Sequence, residues 1–111
     1  MRKALLCAGL VAACGLPGAA LAETSANTIR AGNEIAQKFC GHCHAIGQEG
    51  KSAHPDAPPF RTIAAKGNVE NLEEALGEGI IVGHPDMPQF QFKPGDVGAL
   101  VAYLKSLSGK G

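Results

Sequence analysis

The sequence has no tryptophan, one tyrosine and four phenylalanines in 111 residues. So little aromatic bulk makes a thin core, and small domains often need a disulfide, a metal or a cofactor to complete their interior. An excess of charge is also missing, since ten Lys and Arg stand against ten Asp and Glu. That argues against nucleic acid, which wants a basic face, and against strong steering of partners by net charge alone. No apolar run reaches the roughly 20 residues a membrane span takes; the uncharged stretch Ala4 to Leu16 falls short. Cysteine is scarce, with only Cys7, Cys14, Cys40 and Cys43.

Two of those four belong to an N-terminal segment with its own pattern. Met1-Arg2-Lys3 is a positive start, Ala4 to Leu16 is apolar, Pro17-Gly18 breaks the run, and Ala20-Leu21-Ala22 has the small-x-small form that signal peptidase reads. Residues 1–22 therefore read as a secretory signal peptide, with the domain occupying 23–111. A retained membrane anchor ranks below cleavage because the apolar run is short. Val11-Ala12-Ala13-Cys14 resembles the motif before a lipidated cysteine, a route that would tether the protein at Cys14; the placement of Ala20-Leu21-Ala22 favours cleavage after Ala22. Cleavage leaves Cys40 and Cys43 with no third thiol, and eight basic residues against ten acidic ones.

The periodicity is helical throughout. Ile29, Gly32, Ile35, Ala36 and Phe39 predict an amphipathic helix over 28–40 with Thr28 as its cap. "GQEGKSAHPDAPP" (47–59) is a loop, and Phe60 to Ala65 a short helical turn. Val69, Leu72, Ala75 and Leu76 share one face of a further helix, with Asn71 and Glu74 at capping-box spacing. A proline-broken loop, "GHPDMPQFQFKPG", follows, in which only "FQF" hints at extended chain. Asp96 then caps a last helix striped by Val97, Leu100, Val101 and Leu104, with Gly109 beyond its end. The class is all-α, and helices this short depend on tertiary packing.

The chemistry sits in "FCGHCHAIG", residues 39–47. Read as Cys-Gly-His-Cys it suits thiol–disulfide exchange, but such a motif belongs at a helix N-terminus, where the dipole activates the first cysteine. Here it follows a helix, with no βαβ pattern around it. A zinc site built from both cysteines with His44, His54 or His84 matches no usual ligand spacing. Read as Cys-x-x-Cys-His, the motif is a strong signal for covalent haem attachment. Cys40 and Cys43 at a helix end can each reach one vinyl group of a porphyrin, and His44 turns its imidazole to the iron. A backbone carbonyl on its other ring nitrogen would fix the ring.

A low-spin carrier needs a sixth ligand. Met87, 43 residues after His44, is the one methionine left after cleavage. It lies between Pro85 and Pro88 and off any helical stripe, which suits pinning a sulfur better than filling a core. His84, three residues earlier, is a competing imidazole if that loop opens, but the Met-Pro context fits the ligand better. His42 reads as exposed without a ligand role, and His54, before Pro55, as solvated. Arg61 and Lys66 are within sequence reach of the propionates.

With these residues in place, the chain resembles a small bacterial class I cytochrome c over nearly all of 23–111. Cys40-x-x-Cys43-His44, Met87-Pro88, Gly32 and "LVAYLKSL", with Leu100 and Tyr103, carry the resemblance. It implies a cytochrome c fold with crossed first and last helices, Gly32 allowing their close approach, and a middle helix around one covalently bound haem c. "APPF" resembles the segment whose proline carbonyl accepts the proximal histidine's Nδ1–H, which assigns the role to Pro58 or Pro59. The double proline departs from the commoner Gly-Pro.

The implied function is periplasmic one-electron transfer, not catalysis, with His44 and Met87 as axial ligands. Ile80, Ile81, Val82, Phe90 and Phe92 are candidates for the apolar shell. The expected partners are periplasmic or membrane-bound redox proteins met briefly by a monomer, with no small-molecule substrate. The alternative is a gas-binding haem sensor in which Met87 is displaced.

Overall fold

The computed structural model describes residues 8–10, 17–67, 69–79 and 86–108, with the side chains of 17–24 excepted. Four helices follow in chain order, α1 (Pro17–Phe39), α2 (Phe60–Ala65), α3 (Val69–Glu78) and α4 (Pro94–Ser106). Among the described residues there is no strand, as the helical periodicity predicts, and "FQF" runs through irregular chain.

Helix starts differ from the sequence reading. Helix α1 begins at Pro17, so Thr28 is an interior residue and not a cap. The alanine-rich stretch before it has high helical propensity and extends the helix upstream. Helix α3 begins at Val69, which places Asn71 inside the first turn. The cap of α4 is Lys93, with Pro94 at the first helical position, and Asp96 lies in the first turn. Proline's fixed φ suits that position, and an acidic side chain there complements the helix dipole.

The core is the seam between α1 and α4, the most extensive helix pair in the fold, with α3 and α2 packed on α4. Leu100 and Leu104 are its most deeply buried large side chains, joined by Ala36, Phe60, Val69, Leu76, Val97 and Val101. Gly32 makes the seam possible. A Cβ there would lie 2.0 Å from the Ala99 carbonyl oxygen and 2.7 Å from the Tyr103 Cβ, so no larger residue fits between the two backbones. The Tyr103 hydroxyl donates to the Ile46 carbonyl at 2.5 Å, tying α4 to the chain just beyond the cysteine motif. Gln48 adds a second tie, from its side-chain amide to the Leu107 carbonyl at 3.0 Å.

Helix α3 stops at Gly79, whose φ of +76° is the left-handed conformation glycine takes at helix ends. The chain returning towards α4 is fixed to that end. The Phe92 N–H donates to Leu76 at 2.9 Å, and the Gln89 side chain donates to the Gly79 carbonyl. Ile80, Ile81, Val82, His84 and Pro85, along with Gly109 and most of the N-terminal segment, lie outside the described residues.

Candidate haem site

The cysteine motif continues the last turn of α1. The Cys40 N–H donates to Ala36 at 2.9 Å, and the His44 N–H donates to Cys40 at 3.0 Å, so residues 40–44 form a compact turn at the helix C-terminus. The end of the helix thus lies within a residue of the position its apolar stripe predicts. Both thiols are free and half-buried. Burial pushes the Cys40 thiol up to about 11. A thiol that stays protonated at neutral pH, at the carbonyl end of a helix, is a poor exchange nucleophile. Burial and the helix end both weigh against the sulfur reading of this motif.

His44 is oriented from behind. Its Nδ1 lies 2.7 Å from the Pro58 carbonyl oxygen, so Nδ1 carries the proton and donates. Nε2 is then left as the lone-pair nitrogen, the form a metal takes. Of the two candidate prolines, Pro58 supplies the carbonyl, while the Pro59 carbonyl accepts the first-turn N–H groups of α2. Phe60 fixes this arrangement. Its N–H donates to Ala45 at 2.9 Å, and its buried ring packs 5.4 Å from the His44 ring.

A cleft opens in front of the motif. Phe39, Cys40, His42, Cys43, His44, Asp86, Met87, Pro88 and Phe90 line it, and its walls are mainly apolar. Met87 thus reaches the same cleft as His44 although 43 residues separate them. Phe39 is 41% exposed despite its place on the apolar stripe of α1. Its ring meets Phe92 edge-on at 5.3 Å and Phe90 at 6.3 Å, and Phe90 stacks on Phe92 at 5.2 Å. This aromatic group forms an apolar wall beside the two cysteines. His42 is exposed at the mouth of the cleft.

Two histidine and arginine placements add to the sequence reading. His54 is half-buried, with its Nε2 3.1 Å from Asp86 Oδ2. Arg61 donates through Nη2 to the Gly50 carbonyl at 2.7 Å. Its Nη1 is buried with no hydrogen-bond partner among the described residues. A buried guanidinium nitrogen in want of an acceptor fits a carboxylate. Lys66 is exposed at the end of α2. The His54–Asp86 contact was not accessible from spacing, because 32 residues separate the two.

Two free thiols on one turn, a buttressed imidazole, an apolar cleft shared with a thioether and an orphaned guanidinium nitrogen are the parts a covalently bound haem requires. They define a c-type haem protein on an all-α fold. The chain belongs to the cytochrome c family, whose model (Cytochrome c) matches residues 29–108. It is similar to cytochrome c-552 of Bradyrhizobium diazoefficiens, at 28% identity over 92 residues covering 79% of this chain and 86% of that protein. No solved structure matches the chain.

The protein accordingly carries a covalently attached c-type haem with iron and serves haem-based electron transfer with redox proteins as partners. Cytochrome c electron carriers are generally not enzymes.

Proposed function

We propose that this cytochrome c is an exported, monomeric one-electron carrier whose haem iron is held by His44 Nε2 and Met87 Sδ. Cys40 and Cys43 would form the two thioethers. The haem, when bound, supplies an iron that gains and loses one electron. The observation that carries the reading is the His44 Nδ1–H bond to Pro58, which leaves Nε2 for the metal in a cleft that Met87 also lines.

Each residue then has a definite task. Pro58 holds the His44 tautomer and ring plane. Met87 brings a soft sulfur that favours the reduced state and raises the potential. Phe39, Pro88 and Phe90 keep water from the cleft and favour the less charged state in the same direction. Arg61 Nη1 takes a propionate carboxylate in this reading, which removes its orphaned donor.

The N-terminal pattern supports export, with cleavage after Ala22 and function in the periplasm. Among the described residues no helix is long and apolar enough to cross a membrane. Cleavage would leave α1 from Glu23 onward, with Gly32 and the motif untouched. The electron donor and acceptor would be periplasmic or membrane-bound redox proteins.

The test is the visible spectrum of the ferrous holoprotein with and without CO. A sharp low-spin spectrum that CO leaves unchanged is expected of a closed His44–Met87 pair. A shift with CO in the wild type would instead favour the gas-binding alternative, with Met87 displaceable or off the iron.

A further inference from the structure

We infer that His54 is a positioning residue for Met87, acting as a clasp that holds the Met87 loop to the chain behind the cysteine motif. The inference rests on the proposed ligation by Met87. His54 is anchored on one side by its backbone, whose N–H donates to the Cys43 carbonyl at 3.1 Å and whose carbonyl accepts from Ala57 at 3.2 Å. Its ring is then aimed by a local bond, the Asp56 N–H donating to Nδ1 at 3.1 Å. A ring nitrogen that accepts carries no proton, so the neutral imidazole bears its proton on Nε2. That nitrogen lies 3.1 Å from Asp86 Oδ2, on the residue next to Met87.

Met87 consequently sits between two ties. On its N-terminal side Asp86 is held across 32 residues to the first loop. On its C-terminal side Gln89 and Phe92 are held to the end of α3. One residue thus joins the segment bearing both cysteines and His44 to the segment bearing Met87. The His54 side chain is 25% exposed and the Asp86 side chain 68%. The bond is therefore charge-assisted but screened, and its loss should change loop opening roughly three- to tenfold and no more.

The experiment follows imidazole binding to the ferric holoprotein at saturating imidazole, where the limiting rate reports release of the sixth ligand. EDTA is present throughout, because the ligand atoms of His54, Asp56 and Asp86 lie within 4.8 Å of one another and a stray cation would restrain the same loop. His54→Ala and Asp86→Ala should each raise the limiting rate about three- to tenfold, and the double variant should be no faster than either single one. His54→Gln, which keeps a donor of similar reach, should return the rate to within about twofold of wild type. Additive single effects, a rate unmoved by His54→Ala, or failure of His54→Gln to rescue would overturn the clasp. The ligation reading is tested separately by Met87→Ala. If that variant keeps the wild-type ferric spectrum and rate, the ligation reading fails and the clasp falls with it. If the spectrum changes while His54→Ala remains wild-type in rate, the clasp alone fails.

Discussion

At the residue scale, the site is a division of labour among side chains that look alike in the sequence. Four histidines are present. Of the three described, His44 is set apart by the Pro58 carbonyl, His54 by Asp86, and His42 by its exposure. The two cysteines are legible without a structure, because thioether attachment to one porphyrin demands a fixed local spacing. Met87 is singled out in the sequence by elimination and by its neighbouring prolines, and the fold brings it to the cleft that His44 lines. Pro58 is not legible in this way, since adjacent prolines offer two equivalent carbonyls until the fold selects one. His54 is not either, because its partner lies 32 residues away and no spacing rule connects them. Replacing Cys40 or Cys43 by Ala should yield little holoprotein in a host competent for haem attachment. Haem-stained gels and intact mass would check this, and a normal yield from either variant would count against thioether attachment at that position.

At the element scale, the α1–α4 seam is the part of the fold most sensitive to one atom. Gly32→Ala would drive a Cβ into the Ala99 carbonyl, a backbone atom that cannot rotate away. Overpacking of this kind costs about 1–3 kcal/mol or more, and each kcal/mol lowers the Tm of a domain this size by about 4–8 °C. Thermal melts of the holoprotein would show it, and an unchanged Tm would mean the seam is looser than its geometry. The apolar faces of these helices were readable from periodicity, but their starts were not. Helix α1 continues upstream through residues of high propensity, and the cap of α4 is a lysine followed by proline, so the usual capping residues mark the wrong positions.

The α3–α4 pair carries a weaker, pH-dependent tie. Glu70 and Lys105 approach to 2.9 Å on the exposed surface. The hydrogen bond to Lys105 holds the Glu70 carboxyl below the usual carboxylate range, and the same contact raises Lys105. A lowered carboxylate stabilises the fold above its unfolded pKa and loses that contribution as pH falls through the folded value. A raised lysine stabilises below its unfolded pKa and loses its part as pH rises through the folded value. The Tm difference between wild type and Glu70→Gln should therefore be small at neutral pH, vanish towards both acid and strongly alkaline pH, and shrink with added salt. A difference that persists in strong acid would assign it to something other than this pair.

At the scale of the whole molecule, a thin core and a haem cleft are two views of one fact. The buried set is mostly small and aliphatic, and the described phenylalanines other than Phe60 gather around the cleft instead of filling the helix seam. A chain of this kind relies on the porphyrin for interior surface as well as for chemistry. Family membership fixes the haem and the electron-transfer role, while the proposed ligation by His44 and Met87 is supported by the Pro58 contact and the shared cleft. The most direct test of that pair is voltammetry of the holoprotein beside a Met87→His variant. The account predicts one reversible one-electron wave in each, with the variant at lower potential because imidazole replaces the thioether that favours the reduced iron. Identical potentials in the two proteins would show that Met87 is not on the iron and would contradict the account.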